Sequence, residues 1–389
     1  MVAKMRNRMK IAIDCRWISI DTGGIKQYTS NLIKSLALID ENNEYFLIYN
    51  DPKTKTLLEA NINNKQNFKF LFLKYGIFSL FNQLKLPGKL KKLKISVFHS
   101  PGFMFPLFLN NELKLVVTIH DLIPYLHPEM CFKSKVVIFR SIYKKIMYLS
   151  AKKAGAIITD SNYSQNDILS VFPFSLNKIK VIPIGFNDVY KVINNDSLKE
   201  AIKEKYGIRK KFLFYLGRQD PSKNLSRLIM AFAKVKNKDN YQLVIAGKKD
   251  NRYPQPYTLV ERLGLQDSVS FTGPVPFEDL PLLYNAAELF VFPSLYEGFG
   301  LPPLEAMACG CPVVSSNTAS LPEVVGEAGA LVNPYSVEEL STAMEKVLED
   351  VNLRQTLIAK GLERVKLFSW EKAARQTLEV YEKARLPSP

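Results

Sequence analysis

Apolar residues occur in short blocks, and the blocks alternate with stretches of helical spacing. Residues 115–119 (LVVTI), 212–216 (FLFYL) and 289–293 (LFVFP) are continuous apolar runs with the length of strands buried on both faces. Similar runs predict strands at 9–15, 45–49, 68–73, 95–99, 156–160, 178–183, 241–246, 269–273 and 312–315. Between them lie amphipathic segments. One covers 27–38, with Tyr28, Leu32, Ile33 and Leu36 on one side. Others are a long basic-sided helix at 133–153, a helix capped by Ser161, one at 225–236, and helical sequence from Ser336 to about Arg385. Strands alternating with helices imply parallel sheets covered on both faces. The alternation stops once, at 184–195, where Gly185, Asn187, Asn194 and Asn195 leave no periodicity. The expected fold class is α/β, with two doubly wound Rossmann-like domains, 1–190 and 191–369, facing a cleft.

Composition narrows the class. With 47% hydrophobic and 23% charged residues over 389 positions the chain is globular. It has no run of 18 apolar residues, and its basic first ten residues lead into Ile11-Ala12-Ile13, which Asp14 and Arg16 cut short. No membrane span or signal peptide is expected, and a cytoplasmic location is. Cys15, Cys131, Cys309 and Cys311 are too few and too scattered for a disulfide framework. Cys309-Gly310-Cys311 has no second pair or nearby histidine to complete a metal site, so packing is expected of it.

The net charge of +16 is uneven: residues 1–190 hold 27 Lys and Arg against 13 Asp and Glu, and residues 191–389 hold 26 against 24. A basic first half suits nucleic acid, an acidic membrane or a lipid-linked phosphate, or is ordinary solubility charge. No nucleic-acid module accompanies the charge, and nucleic-acid binding would leave the second half unexplained. Residues 84–94 (LKLPGKLKKLK) carry five lysines among leucines, beside aromatic stretches at 75–81 and 101–109. Helical spacing over 86–94 reads as a peripheral segment resting on an anionic membrane, or equally as a solvated lysine face over a core helix.

Candidate chemistry collects at strand ends. After the run at 289–293 comes a loop with Gly298 and Gly300 around Phe299, and Leu301-Pro302-Pro303 opens a helix that Gly310 ends. A glycine loop leading into a helix N-terminus suits a diphosphate. Glu297 and Glu305, expected in the first helical turn, bracket that site and can accept hydrogen bonds from sugar hydroxyls, a ribose on one side and a transferable sugar on the other. Arg218 and Lys223 follow the strand at 212–216, where two fixed cations can neutralise a departing diphosphate. His120 ends the strand at 115–119, where open α/β sheets bind ligands, and Asp121 or a backbone carbonyl can fix its tautomer. Gly23 and Gly24 repeat the strand, glycine turn and helix pattern near the start, without a dinucleotide fingerprint.

Glu297, seven residues and then Glu305, with Gly298-Phe299-Gly300 and Ala306-Met307-Ala308-Cys309-Gly310 in place, resembles the E-x7-E signature of retaining glycosyltransferases of family four, which have the GT-B fold. Gly217-Arg218 with Lys223 meets the family's G-[RK]-x4-K pattern. The resemblance covers nearly the whole chain and is strongest over 212–314. It implies an acceptor-binding first domain, a nucleotide-sugar-binding second domain and a last helix, 370–389, returning to the first. It places His120 near the reacting sugar carbon, Gly23 and Gly24 beside the donor diphosphate, and Gly247, Lys248 and Val275 around the nucleotide base. Arg218, Lys223 and the loop from Gly298 to Leu301 would hold the diphosphate, Glu305 the ribose and Glu297 the transferred sugar.

The implied reaction moves a hexose from a nucleotide-diphosphate sugar to a glycan or polyprenyl-diphosphate-linked glycan, as in polysaccharide or lipopolysaccharide biosynthesis. The segment His120-Asp121-x-x-Pro124 is like that of bacterial mannosyltransferases and favours GDP-mannose. No acidic pair of metal-binding type is present, and Arg218 and Lys223 supply the charge a metal would, so no metal or other cofactor is expected. A sugar-nucleotide epimerase of the same fold, a phosphorylase (for which no pyridoxal-bearing lysine can be nominated) and a non-catalytic two-lobed sugar-binding protein are the alternatives.

Overall fold

The computed structural model describes residues 8–20, 23–109, 112–133 and 138–385. The basic residues 1–7, Asp21 and Thr22 of the first glycine turn and residues 134–137 of the helix expected at 133–153 lie outside that set. The chain divides into two units, one made of 1–122, 139–185 and 369–389 and the other of 123–138 and 186–368. The crossing at 185/186 falls within the aperiodic stretch 184–195.

The first unit holds a seven-stranded sheet: β1 (Lys10–Asp14), β2 (Glu44–Tyr49), β3 (Phe68–Phe72), β4 (Val97–Ser100), β5 (Lys114–Thr118), β6 (Ala156–Thr159) and β7 (Ile179–Val181). Their spatial order is β3-β2-β1-β4-β5-β6-β7, and every pairing is parallel. The second holds six strands: β8 (Lys211–Leu216), β9 (Tyr241–Ala246), β10 (Val269–Gly273), β11 (Leu289–Phe292), β12 (Val313–Ser316) and β13 (Ala330–Val332). Their order is β10-β9-β8-β11-β12-β13, again all parallel. In each sheet the strand order reverses once, between β1 and β4 and between β8 and β11. Such a switch point leaves a crevice beyond the carboxyl ends of two adjacent strands, because their connections depart to opposite sides.

The apolar runs are the sheet cores. Phe212, Leu213, Phe214, Leu289, Phe290 and Val291 are fully buried. The helix Leu225–Lys234 buries Leu225, Leu228, Ile229 and Phe232, the i, i+3, i+4, i+7 stripe that its sequence offers. Strand β13, three residues long, is too short to register as a pattern. The last helix, Trp370–Arg385, packs in the first unit against Gly24–Ile39. There the Tyr381 hydroxyl meets His99 Nδ1 at 2.6 Å. Gly185, the last residue before the crossing, lies so close to the returning chain that a Cβ on it would stand 2.2 Å from Trp370 N. Only glycine permits that approach.

The lysine-rich stretch follows the second of its two readings, a solvated lysine face over a core helix. Leu86 and Leu90 of the helix Leu86–Lys92 are fully buried, so the apolar side expected at an interface belongs to the core. Most of the aromatic loop at 101–109 is also internal: Met104 and Phe105 are buried, and Phe103 packs edge-on to Trp17 at 5.5 Å. What remains outside is Phe108 together with Phe78, Leu80, Phe81 and Leu84 on and before the short helix Leu80–Leu84. The Gln83 amide ties this helix to the loop, donating to Phe105 O and accepting from Leu107 N.

Candidate functional site

In the second unit the expected residues converge on the switch point between β8 and β11. β8 leads to Gly217-Arg218 and then to a 3-10 turn, Pro221–Lys223, capped by Asp220. Asn224 follows with φ +60°, and its side-chain amide donates to Pro293 O and Pro334 O, which anchors the turn beneath the neighbouring strand. Leu295 N donates to Ser222 O at 2.7 Å, so the loops after β8 and β11 are stitched together. Across that seam Lys223 Nζ donates to Glu297 Oε1 at 2.7 Å, with side-chain exposures of 11% and 14%.

The loop after β11 is fixed from below. The Ser320 hydroxyl lies against the carbonyls of Glu297 (2.9 Å) and Phe299 (2.6 Å), and the Thr318 hydroxyl donates to Leu295 O. Phe299 is buried, edge-on to Phe368. Gly300 caps the helix Leu301–Ala308 with φ +110°, and a Cβ there would also meet Leu321 Cδ2 at 2.7 Å. A larger residue would be strained on both counts. Gly298 carries the chain between Glu297 and Phe299, and Leu301 begins the helix, so its N–H is among the unpaired donors of the first turn.

Arg218 is placed differently from Lys223. Its side chain is 75% exposed, and its Nε forms an ion pair with Asp220 Oδ2 at 2.9 Å. Gly247 has φ +140°, and a Cβ on it would fall 1.9 Å from Gly217 O, so backbone crowding alone requires glycine there. Lys248 is exposed, and Val275, in the loop after β10, is half-buried.

Glu305 departs from expectation. The helix starts at Leu301, so Glu305 lies in its second turn, not its first, and helix phase turns it inward. It is 4% exposed, and its Oε2 accepts the Tyr284 hydroxyl at 3.0 Å. Burial pushes the carboxyl up to about 7, and the Tyr284 hydroxyl, with the Tyr190 hydroxyl close by, draws it back only in part. The folded protein therefore keeps this proton between the ordinary value near 4.5 and about 7, where the unfolded chain has lost it. Stability falls as pH rises through that window, by about 3 kcal/mol in total. Glu305→Gln lacks this loss, so the melting-temperature difference between variant and parent should move in favour of the variant between pH 5 and pH 8. A difference constant with pH would show that Glu305 ionises normally.

In the first unit, His120 lies just past β5. Its Nδ1 is 2.5 Å from Asp160 Oδ2, and its Nε2 is 3.3 Å from Pro101 O. Its carboxylate partner is thus Asp160, just past β6, and not the adjacent Asp121. The strand register explains this: Thr118 pairs with Ile158, so the residues two further on also stand side by side. Asp160 was missed because this pairing is invisible until two apolar runs are known to be neighbours. Burial pulls the imidazole down, but the Asp160 charge and hydrogen bond outweigh it and the net shift is upward. The Tyr28 ring stands edge-on to His120 at 4.8 Å. Tyr28 comes from the helix Gly24–Ile39, whose N-cap is Gly23. Gly24 has open space where a Cβ would project, and neither steric crowding nor a positive φ among the described residues demands glycine there.

No group of three or more His, Cys, Asp or Glu side chains that could hold a metal occurs among the described residues. Cys309 and Cys311 are buried free thiols. No helix among the described residues is long and apolar enough to cross a membrane.

Residues 22–189 match the family described as Glycosyltransferase Family 4, and residues 199–364 match Glycosyl transferases group 1. The chain is 30% identical to the O-antigen chain mannosyltransferase B of Escherichia coli, over 96% of this chain and 100% of that protein. It is 34% identical to the serotype-specific mannosyltransferase WbdA of Escherichia coli over 68% of this chain, a match that spans only 33% of that larger protein. Among solved structures, Anabaena HepE in complex with UDP and glucose has a TM-score of 0.74 at 22% identity, covering 96% of this chain and 99% of that one. Both halves of the chain, its two parallel sheets and its full-length relative agree, and the chain belongs to the family-four glycosyltransferases of GT-B fold.

Proposed function

We propose that this glycosyltransferase moves a mannosyl residue from GDP-mannose to a glycan or polyprenyl-diphosphate-linked glycan, with retention of anomeric configuration and without a metal. The observation that carries the reading is the Lys223–Glu297 pair, held with the Gly298–Leu301 loop at the switch point between β8 and β11. There a cation lies beside a glycine loop and the helix start at Leu301, an arrangement suited to a diphosphate, and the carboxylate lies beside them for the sugar. Mannose is favoured by the names of the two Escherichia coli relatives.

In this reading the second domain holds the nucleotide. Lys223 and the loop amides take the diphosphate as the glycosidic bond breaks, with Arg218 contributing from a wetter position. Glu297 accepts from the sugar hydroxyls, and Glu305 from the ribose by sharing its second oxygen. Gly247, Lys248 and Val275 border the base. The first domain binds the acceptor and supplies the Gly23-Gly24 turn and His120. The acceptor hydroxyl attacks from the leaving-group face, and the diphosphate accepts its proton.

The test is a donor panel of GDP-, UDP-, ADP- and dTDP-sugars, with and without EDTA, read by thermal shift and by the anomeric signal of the product. GDP-mannose should give the shift and an axial (α) product, with EDTA making no difference. Loss of activity in EDTA that Mg²⁺ restores overturns metal independence. No shift with any nucleoside diphosphate favours a sugar-binding protein without transfer activity.

We also propose peripheral contact with an anionic membrane on the inner, cytoplasmic side. Phe78, Leu80, Phe81 and Leu84 are each more than half exposed, beside the exposed Lys85, Lys89, Lys91 and Lys92. Leu80→Ser/Leu84→Ser combined with Gln at Lys89, Lys91 and Lys92 should weaken binding to phosphatidylglycerol vesicles at least about tenfold. Undiminished vesicle binding would remove this surface from the interface.

A further inference from the structure

We propose that Asp160 is a positioning residue that, together with the Pro101 carbonyl, holds His120 as a doubly protonated imidazolium at the carboxyl edge of the first sheet. The inference deepens the proposed role of His120 and rests on that reading for its catalytic meaning.

Both ring nitrogens face acceptors. Asp160 Oδ2 lies 2.5 Å from Nδ1, and a backbone carbonyl, which can only accept, lies 3.3 Å from Nε2. Two acceptors are both satisfied by a ring only when both nitrogens carry hydrogen. The alternative puts the shared proton on Asp160 and leaves a neutral Nε2–H imidazole. That alternative reads out in the spectrum as a neutral Nε2–H ring.

Asp160 is 2% exposed, and its Oδ1 has no hydrogen-bond partner among the described residues. His120 is thus its charge compensation, and a neutral ring would leave a buried carboxylate uncompensated. The remaining groups facing His120 agree. Asp121 adds negative charge, and the Ser164 hydroxyl donates to the His120 carbonyl. Tyr28, nearly perpendicular to the ring at 4.8 Å, brings no opposing charge. His99, the one other histidine nearby, does not compete as a cation. Burial pulls it down to about 3, and its nitrogens are engaged by Tyr381 and Thr118. The net upward shift of His120 is the electrostatic counterpart of this geometry. The result is a fixed cationic donor beside the switch point of β1 and β4, suited to an oxygen that carries or develops negative charge.

The chain has only three histidines, so ring-labelled histidine gives a readable NMR spectrum of the full-length protein. His120→Gln assigns the signal. Near pH 7 the His120 ring should show both nitrogens protonated, with His99 neutral throughout. In Asp160→Asn the same ring should become a neutral tautomer at pH 7, and Asp160→Glu should restore part of the imidazolium. The proposal is overturned by a neutral Nε2–H ring in the unaltered protein, or by an imidazolium that persists in a folded Asp160→Asn variant. If that variant does not fold, the parent spectrum alone decides. The spectrum needs no substrate, so an imidazolium in a protein that transfers no sugar would sink the functional reading and leave this one standing.

Discussion

Glu297→Gln should lower sugar transfer by about two to three orders of magnitude while shifting the melting temperature by only a few degrees. A preorganised polar group at a reacting centre contributes on that scale. Glutamine keeps the length of the side chain and an acceptor oxygen for Lys223 Nζ, which donates to Glu297 at 2.7 Å. What it removes is the charge. Alanine is the poorer choice, because it takes away the acceptor of Lys223 Nζ as well as the charge and so confuses folding with catalysis. Turnover at saturating donor, measured beside a thermal melt, separates the two. If activity and stability fall together in the glutamine variant, Glu297 is a structural partner of Lys223 and nothing more.

Lys223→Met should weaken binding of the matching nucleoside diphosphate by about a hundredfold in calorimetry, the order expected for a largely desolvated, charge-assisted hydrogen bond. Arg218→Met should cost less, about tenfold, because its side chain is 75% exposed and is screened by water. Lys223→Met also strands Glu297, so its lost stability needs a control. Combined with Glu297→Gln, the fold should recover most of that stability while the affinity stays low, since residues in direct contact are not additive. Affinity recovered in the double variant would mean that the single change acted through misfolding.

How much of this could be read from residues alone depended on the kind of question. Strand identity was legible because a parallel sheet buried on both faces demands unbroken apolar runs, and 212–216 and 289–293 could hardly be anything else. The switch-point site was legible because its residues lie next to those runs. The orientation of Glu305 was not. Leu304, Glu305, Ala306, Met307 and Ala308 are all buried, so the helix has no polar face in the pattern to give its phase. A related ambiguity left the leucines at 86 and 90 with two readings, since an amphipathic stretch does not say whether core or membrane receives its apolar side. Asp160 needed a register between two strands some 40 residues apart, and spacing along one strand cannot supply that.

The close passage of Gly185 against Trp370 carries a consequence for synthesis on the ribosome. The first unit begins the chain but cannot be completed until its last segment, from residue 369 onward, has emerged. Until Tyr381 arrives, His99 lacks one of its two hydrogen-bond partners, and the helix Gly24–Ile39 lacks its covering neighbour. The second unit needs only 123–138, made earlier, and its own continuous run through 368. Vectorial synthesis thus favours closing the second unit first, while the N-terminal sheet waits with part of its apolar surface open. A nascent chain stalled near residue 368 should engage chaperones through its oldest half, not its newest.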